Sequence, residues 1–149
     1  MFKEKYNTGK SLRKKTPRSA HAVWKISADR PPVETMITDS NHDRIPELVP
    51  IRHFRMSKSA FAFYRATASL MAQDLSHTPS SGIIVQAVGD CHLMNFGGYA
   101  SPERTLVFDI NDFDETHPAP WEWDVKRLAT SFMLACREKN RTVRASKNF

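Results

Sequence analysis

The chain has 149 residues, 40% of them hydrophobic and 26% charged, with a net charge of +6. That length suits one domain able to bury roughly two-thirds of its unfolded surface, and the composition excludes collagen, coiled coil and wholesale disorder. The charge is uneven: residues 1–30 carry nine Lys/Arg against two acids and residues 137–149 carry five against one, while residues 31–136 are net −5.

Basic ends of this kind can bind nucleic acid or phosphate by counterion release. No aromatic stacking platform is interleaved with these charges, so a solvated arm is the plainer expectation. Cys91 and Cys136 are the only cysteines. Neither has a CxxC partner, so neither a disulfide framework nor a zinc site is expected. The N-terminus lacks the apolar core of a signal peptide and no run approaches 18 apolar residues, so the expectation is a cytoplasmic protein with no membrane partner.

Residues 1–50 show little apolar periodicity and carry Pro31, Pro32, Pro46 and Pro50. They read as an extended arm with one short helix near Val33–Thr38. Residues 51–149 form a separate region. Within it, Phe61, Tyr64, Ala68, Met71 and Leu75 recur at spacings of 3 and 4, predicting a single helix over Ser59–Leu75 with Ser59 as its N-cap. Residues 76–82 (SHTPSSG) read as a loop. Ile83–Val88 reads as a buried strand ended by Gly89. Residues 91–104 read as irregular, with turns at Gly97-Gly98 and Ser101-Pro102. Thr105–Ile110 reads as a second strand. Trp121–Arg137 reads as a helix whose apolar stripe is Trp121, Val125, Leu128, Phe132 and Cys136.

The order helix–strand–loop–strand–loop–helix predicts an α+β fold in which two polar loops follow strands. Asp90, His92 and Asn95 lie in the first; Asp109, Asn111, Asp112, Asp114 and Glu115 lie at the second. Asp and Asn oxygens are hard ligands suited to Mg2+. Such a carboxylate cluster repels itself unless a cation neutralises it. Several of these acids can instead cap turns or pair with Arg104, Lys126 and Arg127. Phe113 occupies an EF-hand ligand position and the sixth-position Gly is missing, so DINDFDE is not an EF-hand loop.

The spacing separates roles. Asp90 and Asn95 are five apart, Asp112 follows seventeen later, and Asp124 lies twelve beyond that. The pattern G-D-x-H-x-x-N, strand, D-F, then W-D at a helix start resembles the catalytic core of protein-kinase-like phosphotransferases of the aminoglycoside and choline kinase branch. The resemblance implies a partial kinase-like core with Asp90 as catalytic base and His92 as a brace of the loop. It further implies Asn95 and Asp112 as Mg2+ ligands and Asp124 as a structural anchor; Asp109, from the same acidic cluster, is a further candidate ligand, and Arg65 is a candidate contact to bound phosphate.

A longer resemblance runs through GKSLRKKTPRS, RIPELVPIRHFRMSKSAFAFYRATASLMAQDL, GDCHLMNFGGYASPERTLVFDINDFDET and PWEWDVKRLATS. These segments are similar to the N-terminal part of the bacterial family called domain of unknown function 2252. Here Ala60 stands where that family usually has Pro, Ala66 where Gly usually follows Arg65, and Cys91 where a small apolar residue is usual. The family's members are longer, and the Gly-rich segment and Lys-bearing strand expected to cover ATP have no counterpart among Gly9, Gly82, Gly89, Gly97 and Gly98.

The resemblance thus implies the remnant of an ATP- and Mg2+-dependent phosphotransferase acting on a small-molecule or protein acceptor. As an incomplete domain, it is expected to be inactive alone. Two other readings stand beside it: a metal-dependent phosphoester hydrolase, and a non-catalytic binding module whose basic tails recruit an acidic partner.

Overall fold

The computed structural model describes residues 2–139. It is an α+β arrangement of six α-helices, three short 3-10 turns and two separate two-stranded antiparallel sheets. In chain order the elements are α1 (Phe2–Lys15), α2 (Val33–Asp39), α3 (Val49–Met56), α4 (Ala60–Arg65), α5 (Ala68–Ser76), β1 (Ile84–Ala87), β2 (Phe96–Ala100), β3 (Leu106–Ile110), β4 (His117–Pro120) and α6 (Trp121–Glu138).

The N-terminal region departs from the extended arm expected of it. Residues 2–15 are helical although none is buried. Lys, Glu, Arg and Leu are strong helix formers, and Glu4 in the first turn with Arg13, Lys14 and Lys15 in the last complements the helix dipole. The short helix expected near residue 33 is present as α2, whose buried Met36 packs toward α5. Arg30 ties this region down through a bidentate pair with Asp74, with Nε 2.5 Å from Oδ1 and Nη2 3.0 Å from Oδ2.

The helix predicted over residues 59–75 is two helices. Ser59 caps α4 as expected, accepting from the Ala62 N–H at 3.1 Å. The chain then breaks at Ala66-Thr67, where side chains, two of them from distant elements, donate to the carbonyls around the break. Arg127 Nη2 donates to Tyr64 O (2.9 Å), Arg52 Nη2 donates to Ala66 O (2.9 Å), and Thr67 Oγ1 donates to Phe63 O (3.0 Å). Apolar periodicity continues through such a break, so the pattern alone does not reveal it.

β1 and β3 lie within about a residue of their predicted spans; β2 and β4 were not anticipated. β2 reads FGGYA, and its glycines suggested a turn. The hairpin with β3 makes it a strand, pairing Gly97 with Asp109 and Gly98 with Phe108. A Cβ on Gly97 would lie 2.9 Å from Asn111 Nδ2, the end of an exposed side chain that would have to turn aside. β4 reads HPAP and pairs with β1, Pro118 opposite Gln86 and Pro120 opposite Ile84. Proline is tolerated because the sheet has only two strands and each is an edge. β1 is not the buried strand expected: Ile84 and Val85 are exposed and only Ala87 is buried.

The largest departure concerns α6. Of the apolar stripe read from its sequence, Trp121, Val125 and Phe132 are exposed, while Glu122, Arg127 and Ser131 are buried. Asp124, Arg127 and Ser131, at i, i+3 and i+7, share a face. That face satisfies loop groups. Asp124 accepts from the Val88 and Gly89 N–H groups, Ser131 Oγ accepts from the Leu93 N–H, and Arg127 holds Asp90. Glu122 serves the preceding loop, accepting from the Ser81 N–H at 2.7 Å. The polar side chains of α6 are buried because buried backbone groups require partners.

Candidate functional site

Gly89 sets the geometry of the site. Its φ is +83°, and a Cβ there would meet Glu115 O at 2.1 Å. Only glycine lets the loop after β1 lie directly against the loop after β3. The two carboxylate oxygens of Asp124 hold this corner, accepting from the Val88 N–H at 2.8 Å and the Gly89 N–H at 3.2 Å.

Asp90 follows at once. Its Oδ1 accepts from Arg127 Nε at 2.6 Å, with Nη2 at 2.5 Å. The Arg127 side chain is 2% exposed and that of Asp90 17%. Arg127 also donates to Tyr64 O, and its Cζ lies 4.3 Å from the Tyr64 ring centre. The Tyr64 hydroxyl donates in turn to Arg127 O at 2.7 Å. Burial raises the Tyr64 phenol to about 12, Arg127 opposing. The expectation that some acids pair with basic residues thus holds for Asp90 with Arg127. Lys126 instead reaches Thr78 Oγ1 at 2.9 Å.

His92 is buried and caps the following 3-10 turn, its Nδ1 accepting from the Met94 N–H at 3.1 Å. With the Nδ1 lone pair used in this way, a neutral ring carries its proton on Nε2. That nitrogen lies 3.5 Å from Asp90 Oδ2 and 3.4 Å from Arg65 Nε. An Nε2–H faces the carboxylate but cannot accept from Arg65, so in this tautomer the ring lies at ion-pair range from Asp90 and Arg65 is a neighbour. Burial favours the neutral ring and lowers the His92 pKa, Asp90 opposing and Arg65 and Arg127 adding to the effect. Asn95, also buried, donates from Nδ2 to Asp90 O at 2.8 Å. Its Nδ2 is spent on the loop, so any contact to a cation falls to Oδ1.

Arg65, Asp90, His92, Asn95 and Asp112 all line one open cleft of about 720 Å³. Asp109 does not line it: this residue is exposed on β3 and its Oδ1 accepts from the adjacent Ile110 N–H at 2.8 Å. Asp112 lies just past β3, its Oδ1 accepting from the Asp114 N–H at 3.4 Å.

The cleft also contains residues that spacing did not single out: Glu115, Arg44, Arg52 and Arg55. Partial burial of the Glu115 carboxyl raises its pKa, and Asp90 and Asp112 add to this, while Arg127 and Arg44 oppose. The signal for Glu115 lay in Gly89, whose conformation pins the Glu115 backbone. No comparable signal existed for the arginines, which reach the cleft from α3 and the turn before it.

The family model described as an uncharacterized protein conserved in bacteria (DUF2252) matches residues 44–148. The chain belongs to this family. The match spans all the cleft residues named above, from Arg44 to Glu115, together with α6. No curated protein and no solved structure matches the DUF2252 chain. Among its described residues no helix is long and apolar enough to cross a membrane.

Proposed function

We propose that the cleft is a phosphotransfer site that binds ATP with Mg2+ and presents a hydroxyl acceptor to Asp90. The observation that carries this reading is that Asp90, Asn95, Asp112 and Arg65 line one cleft, with Asp124 anchoring the loop from α6. The sequence of parts agrees with it: an Asp and an Asn five apart in the first loop, an Asp directly after a strand, and an Asp in the first turn of a helix. That is the order expected of a kinase-like core.

The donor set fits Mg2+. Asp112 and Glu115 offer carboxylates and Asn95 offers Oδ1, all hard oxygens. Among the described residues no three His, Cys, Asp or Glu side chains form a ready metal cage. Mg2+ does not need one, since it is held through one or two carboxylates together with substrate phosphates and water. When bound, the ion would neutralise charge on the phosphate oxygens.

The protein's own groups do the rest. Arg127 occupies Asp90 Oδ1 and fixes the carboxylate, which leaves Oδ2, beside His92 Nε2, to orient an acceptor hydroxyl and take its proton. His92 holds that oxygen in place and shapes the turn that carries Asn95. Arg65, which lines the same cleft, offers a guanidinium to phosphate. A cytoplasmic location belongs to the same proposal.

Titrating the protein with ATP, with and without Mg2+, tests the reading. Binding that requires Mg2+ and weakens at least tenfold in Asp112→Asn is expected. Equal affinity with and without the ion, or an unchanged affinity in the variant, would contradict it.

A further inference from the structure

Four arginines line the cleft, and the phosphotransfer reading uses only Arg65. The other three come from one wall. Arg52 and Arg55 sit at i and i+3 on α3, and Arg44 lies in the turn that leads toward it.

Their states differ in a way that suits ligand capture. Arg52 is fixed: Nη1 donates to Asn41 Oδ1 at 2.7 Å and Nη2 donates to Ala66 O at 2.9 Å. Arg44 uses Nε on Ser40 O at 3.1 Å. Arg55 is exposed, and its guanidinium makes no hydrogen bond or ion pair with the described residues. Burial lowers the Arg52 pKa, repulsion from Arg44 lowers it further, and Glu115 offsets this only in part. Asp90, the deepest acid of the cleft, is already paired with Arg127. The wall therefore holds positive charge that the surrounding carboxylates leave uncompensated.

We infer that Arg44, Arg52 and Arg55 form a metal-independent subsite for the phosphate group of a small molecule. A rigid guanidinium flanked by two with unused N–H donors matches a tetrahedral dianion, because several charge-assisted hydrogen bonds can converge on its oxygens. Leu48, Ile51 and Met56 line the same cleft and offer an apolar surface to the rest of the molecule. The inference deepens the phosphotransfer reading and rests on it for taking the ligand to be a phosphate compound. Its mechanism, however, needs neither nucleotide nor Mg2+.

The experiment is a titration of the full chain with inorganic phosphate in EDTA, followed by calorimetry and by amide chemical shifts. Arg44→Ala/Arg55→Ala alters two exposed side chains and leaves Arg52 at its structural bonds. Thermal melting of this variant should match that of the unaltered protein, and Arg55→Lys provides a second variant that keeps the charge but loses the planar fork. Phosphate binding should shift amides in α3, weaken steeply with salt, fall at least tenfold in the double variant, and persist in Asp112→Asn. Undiminished phosphate binding in the double variant, or no binding to the unaltered protein, would overturn the inference. Because no metal or nucleotide is present, failure of Mg2+-dependent ATP binding does not produce either result.

Discussion

Arg127 Nε lies 2.6 Å from Asp90 Oδ1, and the guanidinium that makes this contact is almost entirely withdrawn from solvent. One buried ion pair therefore fixes a carboxylate that lines the cleft and joins α6 to the loop after β1. The same guanidinium also donates to Tyr64 O, so it links α4 into the arrangement.

Removing either partner leaves the other charge buried and unpaired. Arg127→Ala should destabilise the fold by about 3–5 kcal/mol. Arg127→Lys should recover little of this, because an ammonium cannot reproduce the fork to Asp90 and Tyr64 O. Urea unfolding monitored by circular dichroism reads both. A loss under about 1 kcal/mol for Arg127→Ala would show that the pair is not the buried link described.

Gly89 and Gly82 separate two effects of one substitution. Both have positive φ, +83° and +85°, but only a Cβ on Gly89 meets another group, Glu115 O. Gly82→Ala should cost about 1–2 kcal/mol for the left-handed backbone alone. Gly89→Ala should cost several kcal/mol more, because the two loops must part. Equal melting temperatures for the two variants would contradict the close approach of the loops.

Asp124→Ala removes two charge-assisted acceptors, each worth about 1.5–3 kcal/mol to a buried donor. Hydrogen exchange should accelerate most at the Val88 and Gly89 amides. Asp124→Asn keeps one carbonyl acceptor and should show an intermediate effect. Unchanged exchange at both amides in Asp124→Ala would remove Asp124 from its anchoring role.

These relationships explain what the sequence could and could not convey. Ser59 as a cap, the strand before Asp90, the strand before Asp112 and the helix that begins at Trp121 all follow from local chemistry, and they were legible. The break after Arg65 was not, because Arg52 and Arg127, which donate to the carbonyls around it, are distant in the chain. Nor was the burial of Arg127 and Ser131, since apolar periodicity assigns the core to the other face of α6. Of the candidate site residues named from the sequence, Asp90, His92, Asn95, Asp112 and Arg65 share the cleft and Asp109 lies outside it. The contact of the Glu115 backbone with Gly89 was not legible, because nothing in the neighbourhood of Glu115 reports it.

Cys91 provides a pH test of burial next to Asp90. The thiol is raised to about 11 from 9.0, chiefly by burial, with Asp124 and Asp90 adding to it and Arg127 opposing. A folded pKa above the unfolded one means that the fold favours the neutral thiol. The resulting stability is complete below about pH 9 and is lost as pH rises toward 11. Alkylation of the folded protein at pH 8, read by mass spectrometry of peptides, should therefore leave Cys91 unlabelled, since the thiolate is the reactive form. Rapid labelling of Cys91 would place it in a different environment.

The central claim is that Asn95, Asp112 and Glu115 hold a divalent cation together with the phosphates of a nucleotide. Mn2+ is a paramagnetic substitute for Mg2+, so signal broadening in amide and side-chain NMR spectra locates it directly. With ATP present, substoichiometric Mn2+ should broaden the Asn95 side-chain amide and the backbone amides of Asp112 and Glu115 first, and Asp112→Asn should abolish this selectivity. Broadening centred on Asp109 and Asp114, or spread evenly over the surface acids whether or not ATP is present, would contradict the account.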